Sequence, residues 1–181
     1  INSQGNGTYT LSELDLTEII ADYCVNTTNF AGWAITVIYE DPSLPLNQVN
    51  IFDGLEAVSN IDNELIINLN NLLVLDAEGA KIGFTAWEGD STLMNNETLQ
   101  VNGNIISNPP LNPADNQFNS TNSFTGSSEL YNMDLDFYDI ENNIQPGDTS
   151  AQIKLTSNQD LVMINNVITV LNTELPDATI E

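Results

Sequence analysis

The chain has 181 residues, 41% of them hydrophobic, and carries 26 acidic residues against 2 basic ones with no histidine, for a formal net charge of −24. A chain of this length can bury roughly 70% of its unfolded surface as one domain, with no need of disulfides or metal to make a core. Lys81 and Lys154 are the only cations, so no basic patch exists for phosphates or anionic lipid, and without histidine neither a Ser-His-Asp nor a Cys-His centre can be built.

Nucleic acid is therefore excluded as a partner. Direct membrane insertion is not expected either, because no run of 18 or more apolar residues occurs. Charged residues total only 15%, below the ~25% of ordinary domains, so the chain lacks cations rather than being rich in charge. Self-repulsion at −24 has to be offset by salt or bound cations. Cys24 has no second cysteine to pair with and reads as a small buried apolar residue.

Gln4 to Gly7 is a turn, and a strand starts at Thr8 to Leu11. Leu16 to Tyr23 suits one or two helical turns capped by Asp15 or Thr17. Trp33 to Tyr39 is apolar on both alternating faces, which predicts a central buried strand ended by Glu40-Asp41-Pro42. Pro45 stiffens the link to a second strand, Gln48 to Phe52, ending at an Asp53-Gly54 turn. Further strands are expected at Leu65 to Asn70, Ile82 to Trp87, Leu99 to Val101 and Ile105-Ile106, the last pair joined by Asn102-Gly103, a strong hairpin signal. Pattern breaks from Ser107 to Ser128, where Phe118 and Phe124 are the only anchors; this is a functional loop, a flap or an unrecognised strand pair. Alternation resumes from Glu129 to Ile140, and again at Ala151 to Thr156 and Leu161 to Leu171. Short strands separated by Gly, Pro and Asn turns predict an all-β fold, an antiparallel β-sandwich of jelly-roll type spanning residues 1–181.

The segment most suggestive of chemistry is YNMDLDFYDI, Tyr131 to Ile140. On a strand Asp134 and Asp136 share a face with Asn132 and Tyr138, while Tyr131, Met133, Leu135 and Phe137 take the other. Carboxylates two residues apart on one face repel unless solvated or bridged by a cation, and hard oxygen ligands suit Ca²⁺. Either a solvated strand face or a Ca²⁺ site fits, with Asp134 and Asp136 as first ligands and Glu88 and Asp90, in an acid-glycine turn, next. Trp87 and the Ser107 to Ser128 loop offer an alternative role in binding or cleaving carbohydrate, for which carboxylate pairs alone have no specificity. Trp33 belongs with core packing.

The strings GNGTYTLSEL, AGWAITVIYEDPSLPLNQVNIFDGL, AWEGD, NPPLNP, NSFTGS, LYNMDLDFYDI and LPDAT cover nearly the whole chain. Together they resemble a module of the very large Bacteroidota surface proteins exported by the type IX secretion system, including gliding-motility adhesins. The resemblance implies a fragment of a longer multi-domain protein, at the cell surface and anchored at the outer membrane through the parent chain. It implies non-catalytic adhesive or stalk-like work, with neighbouring domains of the same chain and surface polysaccharide as partners.

Overall fold

Eight strands alternate between two sheets in the computed structural model, which describes residues 7–23, 31–43 and 47–173. The chain divides into two compact units, residues 1–39 and 40–181. In the second unit the strands are β1 (Gln48–Val58), β2 (Glu64–Asn70), β3 (Lys81–Trp87), β4 (Thr98–Val101), β5 (Asn104–Ile106), β6 (Met133–Asp139), β7 (Ser150–Thr156) and β8 (Val162–Leu171). Antiparallel ladders join β1 to β8, β2 to β7, β3 to β6 and β4 to β5. That nesting is one long hairpin ribbon closed at its β4–β5 turn. Rolling the ribbon over adds the β3–β8 and β4–β7 ladders. The result is sheet A, ordered β1-β8-β3-β6, and sheet B, ordered β2-β7-β4-β5. The fold is an all-β antiparallel sandwich with jelly-roll topology.

Strand alternation explains the core. Leu99 and Val101 on β4, Ile153 and Leu155 on β7, Ile82 and Phe84 on β3, and Ile164 and Val167 on β8 turn their side chains inward and are buried. The ring of Phe84 lies edge-on to Phe118 at 5.3 Å and is stacked near Tyr138 at 6.2 Å. The β4–β5 hairpin turns on Asn102 (φ 51°) and Gly103 (φ 78°), the two positive-φ residues its Asn-Gly dipeptide predicts.

Besides Thr8 to Leu11, which forms no strand, three expectations need correction. Trp33 to Tyr39 forms no strand in either sheet, and Trp33 is 47% and Tyr39 72% exposed. The central places of the two sheets are held by β8 and β3 and by β7 and β4. A run apolar on both faces signals a need for burial, but not which partner supplies it. Second, Asp53-Gly54 is not a turn: β1 runs through it to Val58, with the register against β8 shifting between Asp53 and Glu56. Glycine inside a strand marks a bulge as readily as an end. Third, of the two loop phenylalanines only Phe118 is buried; Phe124 is 69% exposed.

In the first unit a single helical turn, α1 (Ile20–Tyr23), follows Asp15, whose Oδ1 accepts the Thr17 N–H at 2.9 Å. The Gln4 turn, Cys24, Pro45 and the LPDAT string lie outside the described residues.

Replacing Phe84 by alanine should cost about 3–5 kcal/mol, since it removes a fully buried ring between two others. A urea melt should show a lower midpoint with unchanged slope, whereas Ile66→Ala, on an exposed position of β2, should change stability by less than about 0.5 kcal/mol.

Candidate functional site

The 107–128 segment crosses the free edge of β6 and is sewn to it. Leu135 N–H donates to Thr121 O at 3.0 Å, Ser123 N–H donates to Leu135 O at 3.3 Å, and Asn122 bridges Leu135 in parallel. Phe137 N–H donates to Ser123 Oγ at 2.8 Å. Two other loops hold the same segment. Asp90 N–H donates to Phe118 O at 3.0 Å, and Ser120 Oγ donates to Gly89 O at 2.6 Å. Gln117 N–H donates to Glu97 O at 2.9 Å, and Glu97 N–H donates to Asp115 O at 3.1 Å. The segment is a docked strap rather than an open flap.

Beneath it lie Asp134 and Asp136, both 0% exposed. The alternation read from the sequence holds, but the acidic face of β6 points into the sandwich and Met133, Leu135 and Phe137 lie half-buried on the outside. These aspartates are not a solvated strand face. Oδ1 of Asp134 accepts the backbone N–H of Asn119 at 3.0 Å and of Thr121 at 2.9 Å. Oδ2 of Asp136 accepts Thr121 Oγ1 at 2.9 Å and Asn112 Nδ2 at 3.2 Å. The strap supplies the donors these buried carboxylates require. Gly89 presses on the other side: a Cβ there would collide with Asp134 Oδ2 and stand 2.9 Å from the Ser120 nitrogen.

Glu88, also buried, follows β3 and has Asp160 beside it. Asp90 is half-exposed and its Oδ1 accepts both Thr92 N–H (3.1 Å) and Thr92 Oγ1 (2.8 Å). Of the four acids picked out in the sequence, Glu88, Asp90 and Asp134 share one neighbourhood, whereas Asp136 is one step further along β6, opposite Phe84. Two acids escaped notice. Glu97, 0% exposed, and Asp160 complete the group. Glu97 had a legible signal, because it falls in phase with Leu99 and Val101, the buried face of β4. Asp160 sits in a turn before β8 and had none.

Burial outweighs every other influence on this group. Desolvation raises Asp134 to about 7, although its hydrogen bonds from Thr121 and Asn119 pull the other way. Desolvation, then Asp160, raises Glu88 to about 8, and desolvation, then the charges of Asp160, Asp134, Glu88 and Asp90, raises Glu97 to about 9. Among the described residues no three acidic, cysteine or histidine side chains already stand where one metal ion would touch them all.

Outside, sheet A is almost uncharged. Trp87, Met133, Leu135, Phe137, Met163 and Ile168 lie half-buried on its outer face, with Lys81 opposite Asp139 at one end. Of the two large rings, that of Phe137 lies flat. A Cβ on Gly83 would stand 2.5–2.6 Å from ring atoms of Phe137, so that ring covers the glycine. Trp87 is turned toward β8, its Nε1–H donating to Asn165 Oδ1 at 3.0 Å. Phe124 of the strap extends the face, 5.3 Å from Phe137.

No family model matches the chain, and no curated protein matches it. A solved crystal structure of a glycoside hydrolase 86 protein in complex with neoagarooctaose is similar over 74% of this chain and 20% of that one, at 14% identity and a TM-score of 0.39. The chain thus spans about a fifth of that protein, and a likeness of this degree assigns no function.

Because Asp134, Glu88 and Glu97 have raised folded-state values, their protons stabilise the fold fully below about pH 4, and that stabilisation is lost as pH rises through about 7 to 9. In chelator the melting temperature should therefore fall between pH 5 and pH 9, and Glu97→Gln should flatten the upper part of that fall. A parent profile flat over this range would contradict the burial of these groups as charges.

Proposed function

We propose that this chain is a non-catalytic adhesion module of a longer cell-surface protein, and that the outer face of sheet A binds a neutral polysaccharide. The observation that carries the reading is that flat, nearly uncharged face. By strand spacing the sheet face spans roughly 19 by 24 Å, and the largest apolar patch on a monomer is often functional. Charge selects the partner. A chain of net charge −24 repels acidic polymers and a second copy of itself, and the face carries only Lys81, opposite Asp139, and Asp53, in the row of Asn166, Thr85 and Leu135. The Phe137 ring laid over Gly83, and Trp87 with the Asn165 side chain bonded to its edge, suit stacking on sugar rings with polar contacts beside them. The motif resemblance supports a surface location and a multi-domain parent.

Affinity electrophoresis through gels containing β-glucan, galactomannan or α-glucan, with chitin and cellulose pull-downs, tests the ligand. We expect retardation by at least one polymer, at least a tenfold loss for Trp87→Ala combined with Phe137→Ala, and no new reducing ends. The double variant should keep the parent's circular dichroism, since both rings lie outside the core. No retention on any polymer, or equal retention of the double variant, overturns the surface; released reducing ends overturn the non-catalytic reading.

A further inference from the structure

We infer that the acidic group beneath the strap is a site for a hard divalent cation of the Ca²⁺ type, with Glu88, Glu97, Asp134 and Asp160 as its side-chain ligands. The inference is independent of what the outer face binds. It also differs from the sequence expectation, replacing Asp136 and Asp90 with Glu97 and Asp160.

An inventory of unpaired atoms points there. Glu88 Oε2, both carboxylate oxygens of Glu97, Asp134 Oδ2 and Asp160 Oδ2 are buried and receive no hydrogen bond from the described residues. Beside Glu97, the buried side-chain oxygens of Asn116 and Gln117 are in the same condition. These seven oxygens are all acceptors, within the six to eight that Ca²⁺ takes at a protein site. Each carboxyl charge is felt by others of the group: Glu97 by Asp160, Asp134 and Glu88, and Glu88 by Asp160 and Asp134.

Glu97 is the independent observation. A carboxylate with 0% exposure and neither oxygen bonded is costly to bury, and native structures tolerate such a group only with a partner. No protein cation can be that partner. Lys154 pairs with Glu64 at 3.6 Å, and Lys81 stands at the far end of β3 from Glu88, roughly 24 Å away at strand rise. Asp136 Oδ1 is buried and unpaired too, but Asp136 stands one step further along β6, opposite Phe84, and is not among the charges that reach Glu88 or Glu97; Asp90 is half-exposed and its Oδ1 is held by Thr92. Since no three carboxyls yet meet at one point, binding must draw in the longer side chains of Glu88 and Glu97. Calcium tolerates that adjustment better than magnesium, which demands a near-ideal octahedron and keeps its waters.

The test is calorimetric titration of the chelator-stripped whole chain with CaCl₂ and with MgCl₂ in 0.15 M NaCl, with thermal melts alongside. Calcium should bind with a Kd on the order of 10⁻⁴ M, at least tenfold tighter than magnesium, and raise the melting temperature. Glu97→Gln and Asp160→Asn should each weaken binding at least tenfold, while Asp136→Asn should stay within threefold of the parent. The melts separate a ligand from a merely structural residue. In chelator Glu97→Gln, an uncharged isostere, should melt at or above the parent; in calcium it should melt below. Absence of calcium heat and of any calcium-specific shift overturns the site. So does calcium binding that Glu97→Gln and Asp160→Asn leave intact, since the ion then sits elsewhere.

Discussion

Everything at the strap end of this sandwich depends on one carboxylate oxygen. Asp134 Oδ1 is fully buried and is satisfied by two backbone N–H groups, from Asn119 and Thr121, fifteen and thirteen residues earlier in the chain. A buried carboxylate without donors costs several kcal/mol, and two backbone amides without an acceptor would also be left unpaired. Neither side can be buried without the other. This mutual requirement turns a 22-residue loop without regular alternation into part of the fold. It also aligns Phe118 so that its ring reaches Phe84 in the core.

Such an arrangement divides the interior in two. Toward the β4–β5 hairpin the sheets enclose aliphatic side chains that need no partners. Toward Glu88 they enclose carboxylates and amides in which acceptors outnumber donors. The second region holds a net negative charge at neutral pH unless protons or a cation enter it. The same physics reaches the outer face by another route. Turning the acids of β6 inward puts Met133, Leu135 and Phe137 outward, so burying the charge and exposing an apolar sheet surface are two consequences of one strand register.

Much of this was legible in the sequence. Seven of the eight strands fall on the expected segments, because period-two alternation survives wherever one face is buried and Asn102-Gly103 makes its turn by local chemistry. The alternation of Asp134 with Leu135 was also legible, though not which side faces in. On β6 both faces read as plausible interiors, and the donors that make the acidic one tolerable come from a distant segment with no periodicity. Glu97 carried its clue in phase with Leu99 and Val101. Trp33 to Tyr39 illustrates the opposite limit: two apolar faces announce a demand for burial, but pairing is a property of the whole chain. The length of β1 was obscured in the same way, since a glycine read as a stop is a bulge.

Native-state hydrogen exchange tests the central claim most directly, because it reads the amides that Asp134 holds. If that carboxylate fixes the strap, the Asn119 and Thr121 amides should exchange as slowly as Leu135 in β6, through global unfolding. The Phe124 and Thr125 amides, bonded only to the Asn122 side chain at the exposed tip, should exchange orders of magnitude faster. Exchange of Asn119 and Thr121 at the rate of Phe124 would contradict the account: the strap would then open independently, and Asp134 would not be what holds it.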